Sequence, residues 1–217
     1  MKTKIIVGIL VALLLTQMPV IGKYFAILNT MIHETGHSFF ALITGGEVQR
    51  ISLFPDTSGT TLTGHSSWWS QFLTSIAGYV TSSYFAFLFL SLLLKEKYKW
   101  IIYILLVFLS INLFFWVRNL YGLFWIGSFA AGFIWLLKSG NKTFVQYVLV
   151  LIASLVFVEA ITSAFEIMWV SFVTPLRAGD AANLAQLTTF IPSPIWGIVF
   201  FVQSVCFSWF ALKKVLV

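Results

Sequence analysis

The sequence predicts an all-α polytopic membrane protein with about six to seven transmembrane helices and a small membrane-associated β-hairpin. Three observations carry that prediction. The 217 residues are 59% hydrophobic and only 9% charged, where an ordinary soluble domain is about 25% charged. A soluble core holding 23 Phe and 9 Trp would lack the polar side chains to cover it. The apolar residues also fall into runs close to the roughly 20 residues of helix that cross a hydrocarbon core about 30 Å thick. The third observation is an interval from Gly45 to Gly64 in which polar and apolar residues alternate at the period of a strand.

Seven runs fit the membrane ruler: residues 4–21, 24–43, 68–94, 100–116, 120–137, 144–173 and 194–215. Lys2 and Lys4 ahead of the first run resemble the start of a signal peptide. No small-residue cleavage site follows before the next run, so the segment is read as a retained first helix. The Gly22-Lys23 junction is abrupt and the Arg118-Asn119 break is polar. One or two segments are therefore expected to be re-entrant or only partly spanning. Between the second and third runs, Glu47-Val-Gln-Arg-Ile-Ser-Leu-Phe54, a turn at Pro55-Asp56-Thr57-Ser58-Gly59 and Thr60-Thr-Leu-Thr63 read as the hairpin. Its backbone polar groups need shelter in protein, at the interface or in a wet cavity, so it is either a substrate-facing edge or an ordinary connector.

The net charge of +6 lies largely in short clusters such as Lys95, Lys97 and Lys99, which anchor helices at headgroups. There is no soluble basic module, which sets nucleic-acid binding aside. If all seven runs span, Lys2, Lys4, Arg50, Arg118 and Arg177 share one side and the remaining lysines the other. The charge bias favours the second side, with the C-terminus, as cytoplasmic, although Lys2 and Lys4 pull the opposite way. The single Cys206 gives no disulfide framework or cysteine metal site. With no repeat and no internal boundary, residues 1–217 are read as one domain.

Chemistry enters in the second run, at Met31-Ile32-His33-Glu34-Thr35-Gly36-His37. H-E-x-x-H on a helix puts both histidines on one face, where neutral imidazoles can share a zinc ion. Glu34, one residue on from His33, is placed to act as general base on a water the ion activates. Ionisable residues inside a membrane helix usually line an interior site, which strengthens the pattern. Catalytic zinc takes three protein ligands, so a third must come from elsewhere. His65, Asp56, Glu159, Glu166 and Asp180 are the candidates. Asp180 is preferred because it opens a polar stretch, Arg177-Ala-Gly-Asp180-Ala-Ala-Asn183, that can fold back after a long hydrophobic run. Its bland alternative is a helix N-cap.

On these residues the chain resembles the site-2-protease family of intramembrane zinc metallopeptidases, in particular short bacterial members without PDZ or CBS domains. The resembling blocks are His33-Glu34-Thr35-Gly36-His37, Leu42-Ile43-Thr44-Gly45-Gly46, Asp56-Thr57-Ser58-Gly59-Thr60 and Ala77-Gly78-Tyr79. They continue with Arg118-Asn119-Leu120-Tyr121-Gly122, Asp180-Ala181-Ala182, Leu187-Thr188 and Ile191-Pro192. The resemblance implies one zinc ion on His33, His37 and Asp180, with Glu34 catalytic, in an integral multi-pass protein of a bacterial cell membrane. Larger members present the aspartate in a Leu/Asn-x-Asp-Gly motif, whereas Gly179 and Ala181 flank Asp180 here. It further implies that the hairpin, residues 47–63, pairs with an unwound strand of a transmembrane protein substrate. Asp56, Gly59, Asn112, Arg118 and Asn119 are the candidate substrate-binding residues, although the last three read more readily as interface and packing groups. Partners implied are the bilayer, the substrate and a regulatory membrane protein.

Glu159 and Glu166, seven apart on one apolar helix, suggest a polar interior, either a buttress of the bundle or a proton path. Rival functions are a membrane transporter of metal ions or protons and an inactive protease-like scaffold. A transporter would be expected to carry several ligand sets or an internal repeat, neither of which is visible. The intact Glu34 speaks against the scaffold.

Overall fold

The structure is a computed structural model that describes residues 1–216. Every apolar run is a helix: α1 (Lys2–Thr16), α2 (Ile21–Ile43), α3 (Trp68–Leu94), α4 (Tyr98–Ile111), α5 (Leu120–Lys138), α6 (Lys142–Val173) and α8 (Ser193–Leu216). A short α7 (Gly179–Thr188) precedes the last of them, and β1 (Glu47–Leu53) pairs antiparallel with β2 (Gly59–Gly64). The protein is thus an all-α polytopic membrane fold carrying one small hairpin.

Five helices are long and apolar enough to cross a membrane: α3, α4 with the π turn that ends it, α5, α6 and α8. The pair α1 and α2 passes only together and is bent by 110°, giving at most one more span. The break falls at Gln17 to Val20, around Pro19, whose missing N–H and ring disfavour a continuous helix. The sequence signal was thus Pro19 rather than Gly22.

That bend also changes the charge count, since Lys4 no longer lies one full span away from Lys23. Lys4 Nζ donates to Gln146 Oε1 at 2.7 Å, and Gln146 Nε2 donates to the Tyr98 hydroxyl at 2.6 Å. The starts of α1, α4 and α6 therefore meet at one end of the bundle. At this end Lys4 joins Lys97, Lys99 and Lys142, while Lys214 lies over the Phe87 ring from the last turn of α8. The basic groups of the chain's start and finish thus gather at one end of the bundle.

The hairpin forms as its alternation predicts. Ile51 and Leu53 are buried while Glu47, Gln49 and Arg50 point outward, with a bulge between Val48 and Arg50. At the turn, Asp56 Oδ1 accepts from the backbone N–H and the hydroxyl of Ser58. Those two hydrogen bonds hold the Asp56 carboxyl below its ordinary pKa.

The two edges of the hairpin have different fates. Val117 forms a parallel bridge with Ile51, and the Arg118 N–H donates to Ile51 O at 3.2 Å. Asn119 completes this edge with its side-chain amide, accepting from Leu53 N at 3.1 Å and donating to Leu53 O at 2.6 Å. The outer edge of β1 is covered. Among the described residues no strand pairs with the outer edge of β2.

Two buried clusters position the rest. The larger joins α1 to α6 around Trp125, whose indole N–H donates to Tyr24 O at 2.8 Å. The smaller, with Ala164, Ala178, Ala181, Ala182, Leu184, Trp196 and Phe200, seats α7 against α3, α6 and α8. Small residues on α7 let its backbone approach closely, the usual way helices associate in lipid. That seat brings Asp180 to α2.

Candidate metal centre and active site

The site is built where α2, α3, β2 and α7 surround a cavity of about 720 Å³. His33 and His37, one turn apart on α2, point into it with Nε2 atoms 2.9 Å from each other. Asp180, from the first turn of α7, brings Oδ2 to 3.2 Å from both nitrogens. Three lone-pair atoms from three residues thus face one point. A tetrahedral ion with bonds of about 2.0–2.1 Å needs ligand atoms about 3.3 Å apart. The observed spacings come close to that, and this is the one such group among the described residues that could hold a metal ion.

Each ligand is aimed by a neighbour. His37 Nδ1 donates to the Thr74 carbonyl of α3 at 2.6 Å, which fixes the tautomer and leaves Nε2 free to bind. His33 lies edge-on to the Tyr79 ring, with centroids 4.6 Å apart. Between these two residues of α3 sits Gly78. A Cβ there would fall against the His33 ring and 2.6 Å from His37 Nε2, so both imidazoles depend on its missing side chain. Asp180 depends on a second glycine. Gly179 has φ +42°, a left-handed conformation that lets the chain turn from the Pro175–Arg177 3-10 turn into α7. The flanking Gly179 that departs from the larger members' motif is what delivers the carboxylate.

Glu34 is buried beside the histidines. Its Oε2 accepts from the Thr61 hydroxyl of β2 at 2.5 Å. Strand β2 reaches the carboxylate only because residue 59 is glycine: a Cβ there would lie 2.6 Å from Glu34 Oε1 and from Thr30 Cγ2. Thr60 and Thr61 both border the cavity although they belong to opposite pleats. The face of β2 that carries Gly59 and Thr61 thus meets Glu34, and the unpaired edge of the strand borders the cavity as well.

The other residues read from the sequence divide. Gly59 lines the cavity, and so does His65, whose ring nitrogen lies 3.2 Å from the Thr63 hydroxyl. Asp56 is exposed at the hairpin turn and is not in the cavity wall. Asn112 is buried behind the metal helix, donating to the Thr35 hydroxyl at 2.7 Å and to Phe108 O at 2.9 Å. The Arg118 guanidinium caps the end of the π turn (Asn112–Trp116) by donating to Val117 O, Phe114 O and Phe115 O. Asn119 holds β1 as described. Glu159 is half-buried and Glu166 exposed on α6, and neither joins the metal cluster.

Sequence reasoning missed Thr61, Thr74, Arg177 and Asn183. Thr74 acts through a backbone carbonyl, for which no side-chain signal exists. Asn183 follows Asp180 at i+3 on α7, so helical spacing around the proposed ligand could have found it, while Arg177 lies before that helix in the 3-10 turn.

A family model described as Peptidase M50B-like matches residues 6–211, nearly the whole chain. No curated protein and no solved structure matches it.

Proposed function

The chain belongs to the Peptidase M50B-like family, the site-2-protease type of membrane peptidase, and on that premise we propose that it is an intramembrane zinc metalloprotease acting on membrane-embedded proteins. The observation that carries this reading is the convergence of His33, His37 and Asp180 on one point beside Glu34. Two imidazoles and a carboxylate suit zinc, with one coordination position left for the reaction. Bound there, zinc would supply Lewis acidity, bringing the pKa of a water to about 7 and polarising a carbonyl oxygen.

The protein's own groups do the rest. Glu34 takes the proton of the attacking water and passes it to the leaving amine. Thr61 holds the carboxylate in position by donating to Oε2. The Tyr79 hydroxyl has no hydrogen-bond partner among the described residues and its side chain lines the cavity, so it donates to the oxygen on which charge develops. A helical substrate keeps its amides hydrogen-bonded and must unwind before attack. The unpaired edge of β2 replaces those bonds by taking the unwound segment as a further strand.

The transporter alternative fares worse, since one ligand group rather than a path of several is found among the described residues. The test is cleavage of a tagged single-span protein in reconstituted membranes, with zinc measured in the same samples. Wild type is expected to cleave and Glu34→Gln to keep zinc while losing cleavage. Undiminished turnover by Glu34→Gln, or zinc flux without cleavage, would overturn the reading.

A further inference from the structure

The cavity beside the metal cluster carries polar side chains such as Thr30, Ser58, Thr63, Gln71 and Asn183 on its walls, alongside Ile167 and the Tyr79 ring. Thr30, Ser58 and Thr63 already have partners in Thr57 O, Asp56 and His65, whereas the side chains of Gln71 and Asn183 have none among the described residues and are left to meet polar groups of the segment drawn in. One lining group says more about that segment. Arg177, in the 3-10 turn just before α7, faces the cavity that holds His33, Glu34 and Asp180. Its guanidinium makes no hydrogen bond and no ion pair among the described residues. Arg118 shows the contrast: there three backbone carbonyls take up the guanidinium, and the residue is structural.

Asp180, three residues on, directs Oδ2 at the two histidines, and among the described residues no ion pair joins it to Arg177. Glu34 and Asp180 are the acids of the cavity wall, and a zinc ion on the ligand cluster would offset their charge. Arg177 is the arginine of the cavity lining, and its planar fork can hold both oxygens of a carboxylate.

We propose that Arg177 is a specificity-determining residue that binds an acidic side chain of the substrate strand, so that the enzyme selects substrates with Asp or Glu close to the bond cut. A strand advances about 3.3 Å per residue, and Arg177 lies three residues before Asp180 on the same cavity, which places the acidic residue within about three positions of that bond. The inference rests on the protease reading and adds the substrate class to it.

The test is a substrate scan in reconstituted membranes. Single-span substrates carry Glu, Gln or Lys at each position flanking the cut, and kcat/KM is compared for wild type, Arg177→Lys, Arg177→Gln and Arg177→Glu. Wild type is expected to prefer Glu over Gln by about tenfold at one position, the size of a charge-assisted hydrogen bond. Arg177→Lys keeps part of that preference, Arg177→Gln loses it, and Arg177→Glu turns it toward Lys. Zinc content of each variant reports folding of the neighbouring ligand turn. Cleavage by wild type with no Glu preference at any position, or a preference that survives in Arg177→Glu, overturns the assignment. Absence of cleavage by zinc-loaded wild type overturns the protease reading, and this inference with it.

Discussion

On the α2 wall of the cavity the reacting groups are held by neighbours outside the metal cluster. His37 is fixed by the Thr74 carbonyl, Glu34 by the Thr61 hydroxyl, and the helix behind them by Asn112 on Thr35. The α7 wall is built otherwise. Asp180 has hydrogen-bond partners only in the two histidines across the cavity, while Arg177 and Asn183 have none among the described residues. Groups that perform chemistry gain from being locked before the substrate arrives, whereas groups that read a substrate must be free to meet it. The division of labour between the walls is thus visible in which side chains are already satisfied.

The largest expected effect comes from filling the pinned wall. Gly78→Val drives a side chain into both imidazoles, and the variant is expected to lose zinc altogether, read by metal analysis of the purified protein. Overpacking of this kind costs about 1–3 kcal/mol before the lost ligand geometry is counted. If Gly78→Val retains full zinc, the ring positions are not what the α3 glycine protects.

A smaller effect is expected from Thr61→Val, which removes the donor to Glu34 and leaves the metal ligands alone. A hydrogen bond to a charged group is worth about 1.5–3 kcal/mol, so kcat should fall roughly tenfold to a hundredfold with zinc content unchanged. Equal kcat would remove Thr61 from the positioning of the base. Gly179→Ala probes the other wall. Its positive φ makes alanine cost about 1–2 kcal/mol, and the loss should appear as weaker zinc retention against a chelator. Loss of zinc from Gly179→Ala as complete as from Gly78→Val would erase the difference between the walls. Least affected should be Asn119→Ala, which frees one end of β1 on the covered edge. A net loss near 1 kcal/mol per hydrogen bond is expected there, seen as a lower thermal midpoint with zinc still bound.

The wall that could be read in the sequence is the one whose residues are neighbours along the chain. His33, Glu34 and His37 announce themselves because helical spacing alone brings them together, and the apolar runs announce their helices because lipid demands a fixed length. Asp180 was legible only as a polar residue after a long apolar run. Its meeting with histidines 147 and 143 residues away in the chain depends on how α7 seats on Tyr79, Ala164 and Phe200. Pro19 ends α1 in the sequence as plainly as in the structure, yet an apolar count alone passed over it. Asn119 could not be read as a cap for Leu53, since a side-chain amide imitating a strand edge leaves no periodic trace. Arg177 was counted as a topological charge, and only the cavity shows what it faces.

The central claim is the three-residue metal centre spanning both walls, and zinc-edge X-ray absorption of the purified protein, compared with Asp180→Ala, tests it most directly. The account predicts one zinc per chain with two imidazole nitrogens at about 2.0–2.1 Å and a carboxylate oxygen, and loss of that oxygen with weakened zinc retention in the variant. A zinc shell and stoichiometry unchanged by Asp180→Ala, or a shell without imidazole, would contradict it.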